Sequence, residues 1–278
     1  MRNTITLITI DGFGLSASST GNAFAVAAAP NLSELFSKCP STTLSAFDAG
    51  EAQTDAVSPD AGYYRMGSGR RAAPHPVDPL KNTLGEWIAS MGLRQTRICA
   101  ESARHASIYS FNGYSDAPFP NERDIVVAGD AALPVHQAAI EAARQVCDAA
   151  LSALDAGDSD FLTVSFSVCD VCGLLGVMPH AVAAVETVDA CLGMLTGKLT
   201  QLGSVACIVS PNGNAEKTVC ADGVTPFQDR TDNLLPFIVF GADVSLRPGS
   251  LCDVAPTILD LMGLSCPPEM DGRSLIGS

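Results

Sequence analysis

Three groups of polar residues each follow a short β-rich run of the sequence. Because the carboxyl ends of parallel strands meet at one edge of a sheet, we expect these residues to lie close together. Two of the groups contain a carboxylate, and a pair of carboxylates at such an edge binds a cation or joins an ion-pair cluster. The runs and their polar residues are 4–10 with Asp11, 161–166 with Cys169 and Asp170, and 204–209 with Pro211 and Asn212.

Ser58, Cys172 and His105 are weaker candidates for a catalytic role. Ser58 precedes Pro59 and Asp60. That order is typical of a helix N-terminus, with a capping serine, proline at the first position and an acid in the first turn. Capping is therefore the favoured interpretation of Ser58, and a nucleophile is the alternative. Cys172 and His105 could form a thiolate–imidazole pair. The favoured interpretation is that Cys172 is a buried thiol and that His105 is a capping or surface imidazole.

The elements that must position these residues alternate between β-rich runs and helical periodicity. In residues 180–202, apolar side chains recur every three to four positions, as in a helix packed on a sheet. This alternation predicts an α/β fold with a mostly parallel sheet and helices on both faces. Predicted strands are 4–10, 107–111, 124–127, 161–166, 204–209 and 236–240. Predicted helices are 31–38, 58–66, 83–90, 135–154, 180–202 and 253–262.

Composition narrows the function classes. The chain has 278 residues, a formal net charge of −14 and 47% hydrophobic residues. Such acidity repels a phosphate backbone, so we expect no nucleic-acid partner. No apolar run has the length of a membrane span, and residues 4–10 suit a first strand better than a signal peptide. We therefore expect a cytoplasmic protein, in which the ten cysteines, including the pair Cys169 and Cys172, are mostly small core residues.

Several short segments, in this order, resemble the cofactor-independent phosphoglycerate mutases of the alkaline phosphatase superfamily. The resemblance implies an alkaline-phosphatase-like metalloenzyme core with two metal ions and a phosphorylated serine. It also implies a second, inserted domain that supplies most of the arginines for the substrate. The segments are Asp-Gly-Phe-Gly at 11–14, Gly-Asn-Ala at 21–23, Met-Gly-Ser-Gly-Arg at 66–70, Thr-Leu-Gly-Glu at 83–86, Gly-Asn-Ala-Glu at 213–216 and Asp-Gly-Arg-Ser-Leu at 271–275.

The family's functional residues map onto this chain only in part. Of seven metal-ligand and nucleophile positions, the resemblance leaves two unchanged, Asp11 and Asp170. The other five positions hold Pro59 for the serine, Leu174, Pro211, Asn212 and Arg230. A further histidine of the family's serine motif falls on Tyr63 or Tyr64. From this comparison we expect no cofactor, with a residual divalent metal at Asp11 and Asp170 as the alternative.

Two like charges placed close together need a cation nearby. Arg230 and Arg104, the latter at the position of the family's active-site lysine, are the candidate counter-ions. The first hypothesis is an internal salt-bridge cluster. The second is an anion site in which both guanidinium groups, near Asn212, hold a carboxylate or phosphate.

At the position of the inserted domain this chain has only a short connector, residues 71–82, which contains three prolines. We therefore expect residues 1–278 to form a single domain. The favoured hypothesis is a pseudoenzyme that binds an unknown protein partner or a small anionic ligand. The alternative is an enzyme of altered, metal-independent chemistry on a small anionic metabolite, so the sequence leaves open whether the protein is an enzyme.

Overall fold

Strands and helices alternate along most of the chain in the computed structural model, which describes residues 4–47, 58–71 and 80–277. The strands are β1 (Ile5–Ile10), β2 (Ser41–Ser45), β3 (Gln95–Ala100), β4 (Glu122–Val127), β5 (Phe161–Phe166), β6 (Val205–Val209), β7 (Leu235–Phe240) and β8 (Gly249–Ser250). The α-helices are α1 (Ala23–Val26), α2 (Pro30–Lys38), α3 (Pro59–Ser68), α4 (Leu84–Ser90), α5 (Val135–Ala156), α6 (Val168–Leu174), α7 (Met178–Leu202) and α8 (Val254–Leu261).

The described strands form one sheet in the order β4-β3-β5-β1-β6-β7-β2-β8. β1 lies at its centre and pairs in parallel with β5 and with β6. Strand β7 is antiparallel to both of its neighbours and is the one strand of this set that runs against the others. The prediction of a mostly parallel α/β sheet is thus confirmed.

Two apolar cores cover the two faces of the sheet. Helices α5, α6 and α7 pack on one face against Ile8, Ile98 and Val164. On the opposite face, α3, α4 and α8 pack against Leu7 and Val209. Since strand residues point alternately to the two faces, the apolar runs of β1 and β5 supply both cores at once. Helices on both faces were expected, and this expectation is confirmed.

One predicted strand is a helix instead. Residues His105–Ser110 form a π-helix, in which the Phe111 amide donates to the Ala106 carbonyl at 3.2 Å. Its β-branched and aromatic residues suggested a strand, but the segment packs closely against α3. The contact is made at Gly67 of α3, where an added Cβ would lie 1.9 Å from the Phe111 carbonyl oxygen. Tertiary contact has overridden local propensity.

Strands β3 and β2, each the second strand in from an edge of the sheet, were missed. β3 carries Gln95, Thr96 and Arg97, which look like surface residues in the sequence, yet all three are buried. Arg97 lies 3.4 Å from Glu122 on β4 and stacks over the ring of Phe111 at 4.8 Å. A buried ion pair therefore replaces the apolar pattern on which strand prediction depends.

Most of the predicted connector lies outside the described residues, so its course stays a prediction, as does the single-domain assignment. The segments on either side are close to each other, since Arg70 donates to the carbonyl groups of Lys81 and Glu269. Among the helices within residues 4–47, 58–71 and 80–277, none has the length and apolar character needed to cross a bilayer.

Candidate functional site at the carboxyl edge of the sheet

The ends of β1, β5 and β6 bring Asp11, Asp170 and Asn212 together, as predicted. The Asp11 amide donates to the Phe166 carbonyl at 2.9 Å, and the Gly12 amide donates to the Asn212 carbonyl at 3.0 Å. Gly12 has φ +85°, and a Cβ there would lie 2.7 Å from the Asp170 backbone nitrogen. Glycine at this position lets the first strand end directly against the start of α6.

Arg230 forms a two-point ion pair with Asp170. Its Nε donates to Oδ1 at 3.1 Å and its Nη2 donates to Oδ2 at 2.7 Å. The Asn212 side-chain amide also donates to Oδ1, at 2.8 Å. Asp170 is 5% exposed, so this pair is formed in a largely desolvated site. Arg230 thus takes the counter-ion role proposed for it.

Asp11 has a different partner, the hydroxyl of Tyr63. That hydroxyl donates to Oδ1 at 2.7 Å, so the Thr9 hydroxyl, 2.6 Å away, donates to Tyr63 in turn. Burial raises the pKa of Asp11 to about 8, with the Asp170 charge adding to the effect and Tyr63 and Arg230 opposing it. Burial also raises the pKa of Tyr63 well above its ordinary value, so Tyr63 remains a donor.

Helix α3 determines which residues face this site. Ser58 accepts a hydrogen bond from the Ala61 amide at 3.1 Å as the N-cap, and Pro59 follows it at the first helical position. The capping interpretation of Ser58 is the one that the geometry supports. The helix lies close to the third strand end, because a Cβ on Gly62 would be 2.3 Å from the Pro211 carbonyl oxygen.

The structure resolves the register of the two tyrosines. Tyr63 faces Asp11, whereas Tyr64 stacks on Tyr114 with ring centroids 5.2 Å apart. The contribution of Tyr63 and of Thr9 was not predicted as part of the site. Its signal was present in the sequence, because a threonine within an apolar strand requires a hydrogen-bond partner when it is buried.

Glu216 fixes the loop that follows β6. It is 1% exposed, and its Oε2 accepts from the amides of Gly14 at 3.1 Å and Asn214 at 2.7 Å. Its Oε1 accepts from the hydroxyl of Thr231 and from the side chain of Asn233 at 2.9 Å. One carboxylate therefore ties the loop after β1 to the segments around residues 214 and 231–233.

We expect Glu216→Gln to destabilise the fold by about 1–3 kcal/mol, because one buried oxygen acceptor becomes a donor that faces other donors. Urea unfolding at neutral pH measures this cost. Glu34→Gln is the matched control, since Glu34 pairs with Lys38 on an exposed helix surface and should change stability by less than about 0.5 kcal/mol. Equal effects of the two substitutions would contradict the role assigned to Glu216.

Arg104, His105 and Cys172 are not part of this cluster. Arg104 is exposed and, within the described part of the chain, forms no hydrogen bond or ion pair with Asp11 or Asp170. The expected convergence of Arg104 with Arg230 is therefore not formed. His105 is likewise exposed and pairs with Asp60 at 2.7 Å. Cys172 is fully buried in the core, where burial raises the pKa of its thiol to about 12, so the proposed thiolate–imidazole pair is not formed.

The parallel sheet, the two helical layers and the carboxylates beyond the strand ends define an alkaline-phosphatase-like α/β fold. Solved structures share it. An alkaline phosphatase from the Antarctic bacterium TAB5 matches with a TM-score of 0.65 and 11% identity, over 94% of this chain and 98% of that one. A phosphoglycerate mutase of Leishmania mexicana matches with a TM-score of 0.66 and 21% identity, over 71% and 40%.

The chain belongs to the metalloenzyme superfamily, whose family model matches residues 3–266. Among curated relatives, the 2,3-bisphosphoglycerate-independent phosphoglycerate mutase of Paracoccus denitrificans is 39% identical over 208 residues, or 74% of this chain and 41% of that protein. The same enzyme of Moorella thermoacetica is 39% identical over 205 residues, or 72% and 39%. The chain thus spans about two fifths of the length of these relatives, and the resemblance seen in its motifs is confirmed.

Family membership corrects one expectation. No cofactor was expected from the sequence, but a metalloenzyme family with relatives of this kind points to divalent metal use. Asp11 and Asp170 are the matching carboxylates. Within residues 4–47, 58–71 and 80–277, no group of three or more His, Cys, Asp and Glu side chains could hold a metal ion. Arg230 also lies on both oxygens of Asp170. The described residues therefore do not fit a multi-ligand metal site.

Proposed function

We propose that this chain is a phosphoglycerate-mutase-like domain that binds a protein partner or a small anionic ligand and does not interconvert phosphoglycerates. One observation carries the proposal: the functional side chains at the strand ends are engaged with one another. Arg230 and Asn212 donate hydrogen bonds to the Asp170 carboxylate, and Tyr63 donates one to the Asp11 carboxylate. The nucleophile position holds Pro59, which has no hydroxyl, and the neighbouring Ser58 hydroxyl caps α3.

The small fraction of the relatives' length that this chain matches supports the same proposal. This chain spans about two fifths of their length. The family resemblance places most substrate-binding arginines in the inserted domain, for which this chain has a short connector. An anion that bound here would therefore depend on other contacts than those of a mutase. The net charge of −14 disfavours nucleic acid as the partner. Ten cysteines with no disulfide among the described residues suit a reducing, cytoplasmic location.

A specific observation favours an enzyme of altered chemistry as the second candidate. His105 Nδ1 lies 2.7 Å from Asp60 Oδ1, to which Ser110 also donates at 3.1 Å. A carboxylate partner orients an imidazole and leaves Nε2 free as a base. His105 lines a cavity of about 190 Å³ with Arg104 and Tyr109. Glu101 and Asp116 line the same cavity, so a small anionic metabolite would have to be held there by Arg104.

Measured mutase turnover tests the proposal. We expect interconversion of 3- and 2-phosphoglycerate by the purified chain to stay at the uncatalysed background, with manganese added to saturation. The Paracoccus denitrificans relative, assayed in parallel, provides the positive control. Turnover above background by the purified chain would overturn the proposal.

Two variants then assign the source of any activity. Turnover that disappears in Ser58→Ala would identify Ser58 as a nucleophile in place of a cap. Turnover of another small phosphate or carboxylate ester that disappears in His105→Asn would favour the second candidate, because asparagine keeps a hydrogen bond to Asp60 but removes the base. Neither variant is expected to lower the stability of the chain by more than the cost of one helix cap, about 1 kcal/mol.

A further inference from the structure

The cavity that His105 lines is bounded by charged side chains of both signs. Arg104 supplies a permanent positive charge to its wall, and Glu101 and Asp116 supply two carboxylates. A cavity selective for a simple anion would not place carboxylates beside its cation, because like charges that face a ligand are unfavourable. Electrostatic complementarity therefore favours a ligand that itself carries both a negative and a positive group.

The three charged groups of this cavity are not paired with one another. Within the part of the chain that the structure describes, no hydrogen bond or ion pair joins Arg104 to Glu101 or to Asp116. Exposed arginines elsewhere on the surface do have such partners, at 3.1–3.6 Å: Arg94 with Asp160, Arg123 with Asp158 and Arg144 with Glu141. The charges at the cavity thus remain available to a bound molecule.

The backbone around the cavity adopts two uncommon conformations. His105 and Tyr109 lie on the π-helix, a rare form that is frequent at functional sites. Tyr114 has φ +66°, in the left-handed region that a bulky side chain rarely adopts, and its amide donates to the Tyr109 carbonyl at 2.9 Å. This turn returns the chain to the π-helix, so that Asp116 completes the cavity wall that Tyr109 begins.

The volume of the cavity limits the size of the ligand. Its 190 Å³ correspond to about six water molecules at roughly 30 Å³ each. The Arg104 guanidinium matches a carboxylate in shape and charge and holds it through two parallel hydrogen bonds. An ammonium group would complement Glu101 and Asp116. A molecule that carries both groups in this space has them only a few bonds apart, which is the chemistry of a small amino acid.

We propose that this cavity binds a small amino acid as its zwitterion, with the carboxylate on Arg104 and the ammonium group on Glu101 and Asp116. The proposal rests on the second candidate function above, which places a small metabolite in the same cavity. It changes the class of that metabolite from an anion to a zwitterion. The His105 ring, held by Asp60 through Nδ1 at 2.7 Å, forms a further part of the wall. Binding involves no covalent step.

Nuclear magnetic resonance titration of the intact, ¹⁵N-labelled chain tests the proposal. The probes are glycine, β-alanine and 4-aminobutanoate, which differ in the separation of their charges, with acetate and methylammonium as the single-charge controls. We expect at least one amino acid to bind about tenfold more tightly than either control, because it forms one more charge-assisted hydrogen bond. The backbone amides of residues 101–116 should shift, and those of α5 and α7 should not.

Three substitutions remove one charge each from an exposed side chain, so the fold should tolerate them. Arg104→Gln should lower the affinity for the amino acid about tenfold, to the level of methylammonium. Glu101→Gln combined with Asp116→Asn should lower it to the level of acetate. Arg144→Gln is the matched control, since Arg144 is also exposed but lies on α5 beside Glu141, and it should leave the affinity unchanged.

The outcomes separate this inference from the candidate function on which it rests. If acetate binds at residues 101–116 as tightly as every amino acid and loses affinity in Arg104→Gln, the zwitterion is wrong and an anionic metabolite stays the candidate. If none of the five probes binds, both are wrong for this cavity. Unchanged amino acid affinity in Arg104→Gln, or shifts confined to the surroundings of Arg230, would place the ligand elsewhere and likewise overturn the inference.

Discussion

Arg230→Ala should destabilise the chain by about 3–5 kcal/mol, the usual cost of breaking a buried ion pair from one side. Asp170 is 5% exposed and holds the guanidinium through two hydrogen bonds, so its charge has no comparable partner after the substitution. Asn212 donates a single neutral hydrogen bond to the same carboxylate and cannot replace that charge. Urea unfolding of both proteins measures the difference.

A double-mutant cycle separates the ion pair from simple loss of packing. Asp170→Asn with Arg230→Met should cost much less than the sum of the two single substitutions, because residues in one network do not contribute additively. Arg247→Ala is a matched control, since Arg247 also contacts a buried carboxylate, that of Asp253, but is itself 40% exposed. A cost below about 1 kcal/mol for Arg230→Ala, together with additive effects, would mean that Arg230 behaves as an exposed pair.

Asp11→Asn should make the protein more stable at high pH than at low pH, relative to wild type. The pKa of Asp11 is raised to about 8 in the folded chain from an ordinary value of 3.8. The folded state thus holds a proton that the unfolded state releases. The stability linked to that proton is fully present below about pH 4 and is lost as the pH rises to about 8, at up to about 1.4 kcal/mol per pH unit.

Unfolding free energies of wild type and Asp11→Asn, measured in chelator from pH 5 to pH 9, test this linkage. The difference between the two proteins should change by a few kcal/mol and level off above pH 8. Tyr63→Phe should extend the window to higher pH, because the hydroxyl of Tyr63 is the group that most lowers the pKa of Asp11. A difference that is constant across the range would show that Asp11 is ionised in the folded state throughout.

The part of the site that depends on strand ends could be predicted from the sequence. Asp11, Asp170 and Asn212 each follow a strand, and a parallel sheet brings such residues to one edge. Arg230 was placed by its position in a motif. Arg104 was placed by the same argument, but its pairing did not form, because the segment after β3 is a π-helix packed against α3 and Arg104 lies exposed at its start. Motif position gives chain location, whereas side-chain direction depends on the local backbone.

The fold was predicted well where apolar periodicity dominates and poorly where buried polar residues do the packing. The apolar patterns of strand β5 and helix α7 were sufficient to predict both elements. Strand β3 was missed because its buried Arg97 forms an ion pair with Glu122, 25 residues further along the chain on β4, a pairing that no local window contains. The donors around Glu216 were missed for the same reason, since they come from loops 200 residues apart in the chain.

The contact between Gly62 and the Pro211 carbonyl has a consequence for protein engineering. The helix that carries position 59 and the loop that carries position 212 lie so close that no side chain fits between them. Their spacing is thus determined by backbone against backbone and does not depend on which functional groups the helix and loop display. New side chains introduced at positions 59, 63 and 212 would consequently be presented in a fixed mutual geometry. That rigidity makes this edge of the sheet a suitable place to introduce new catalytic or metal-binding side chains.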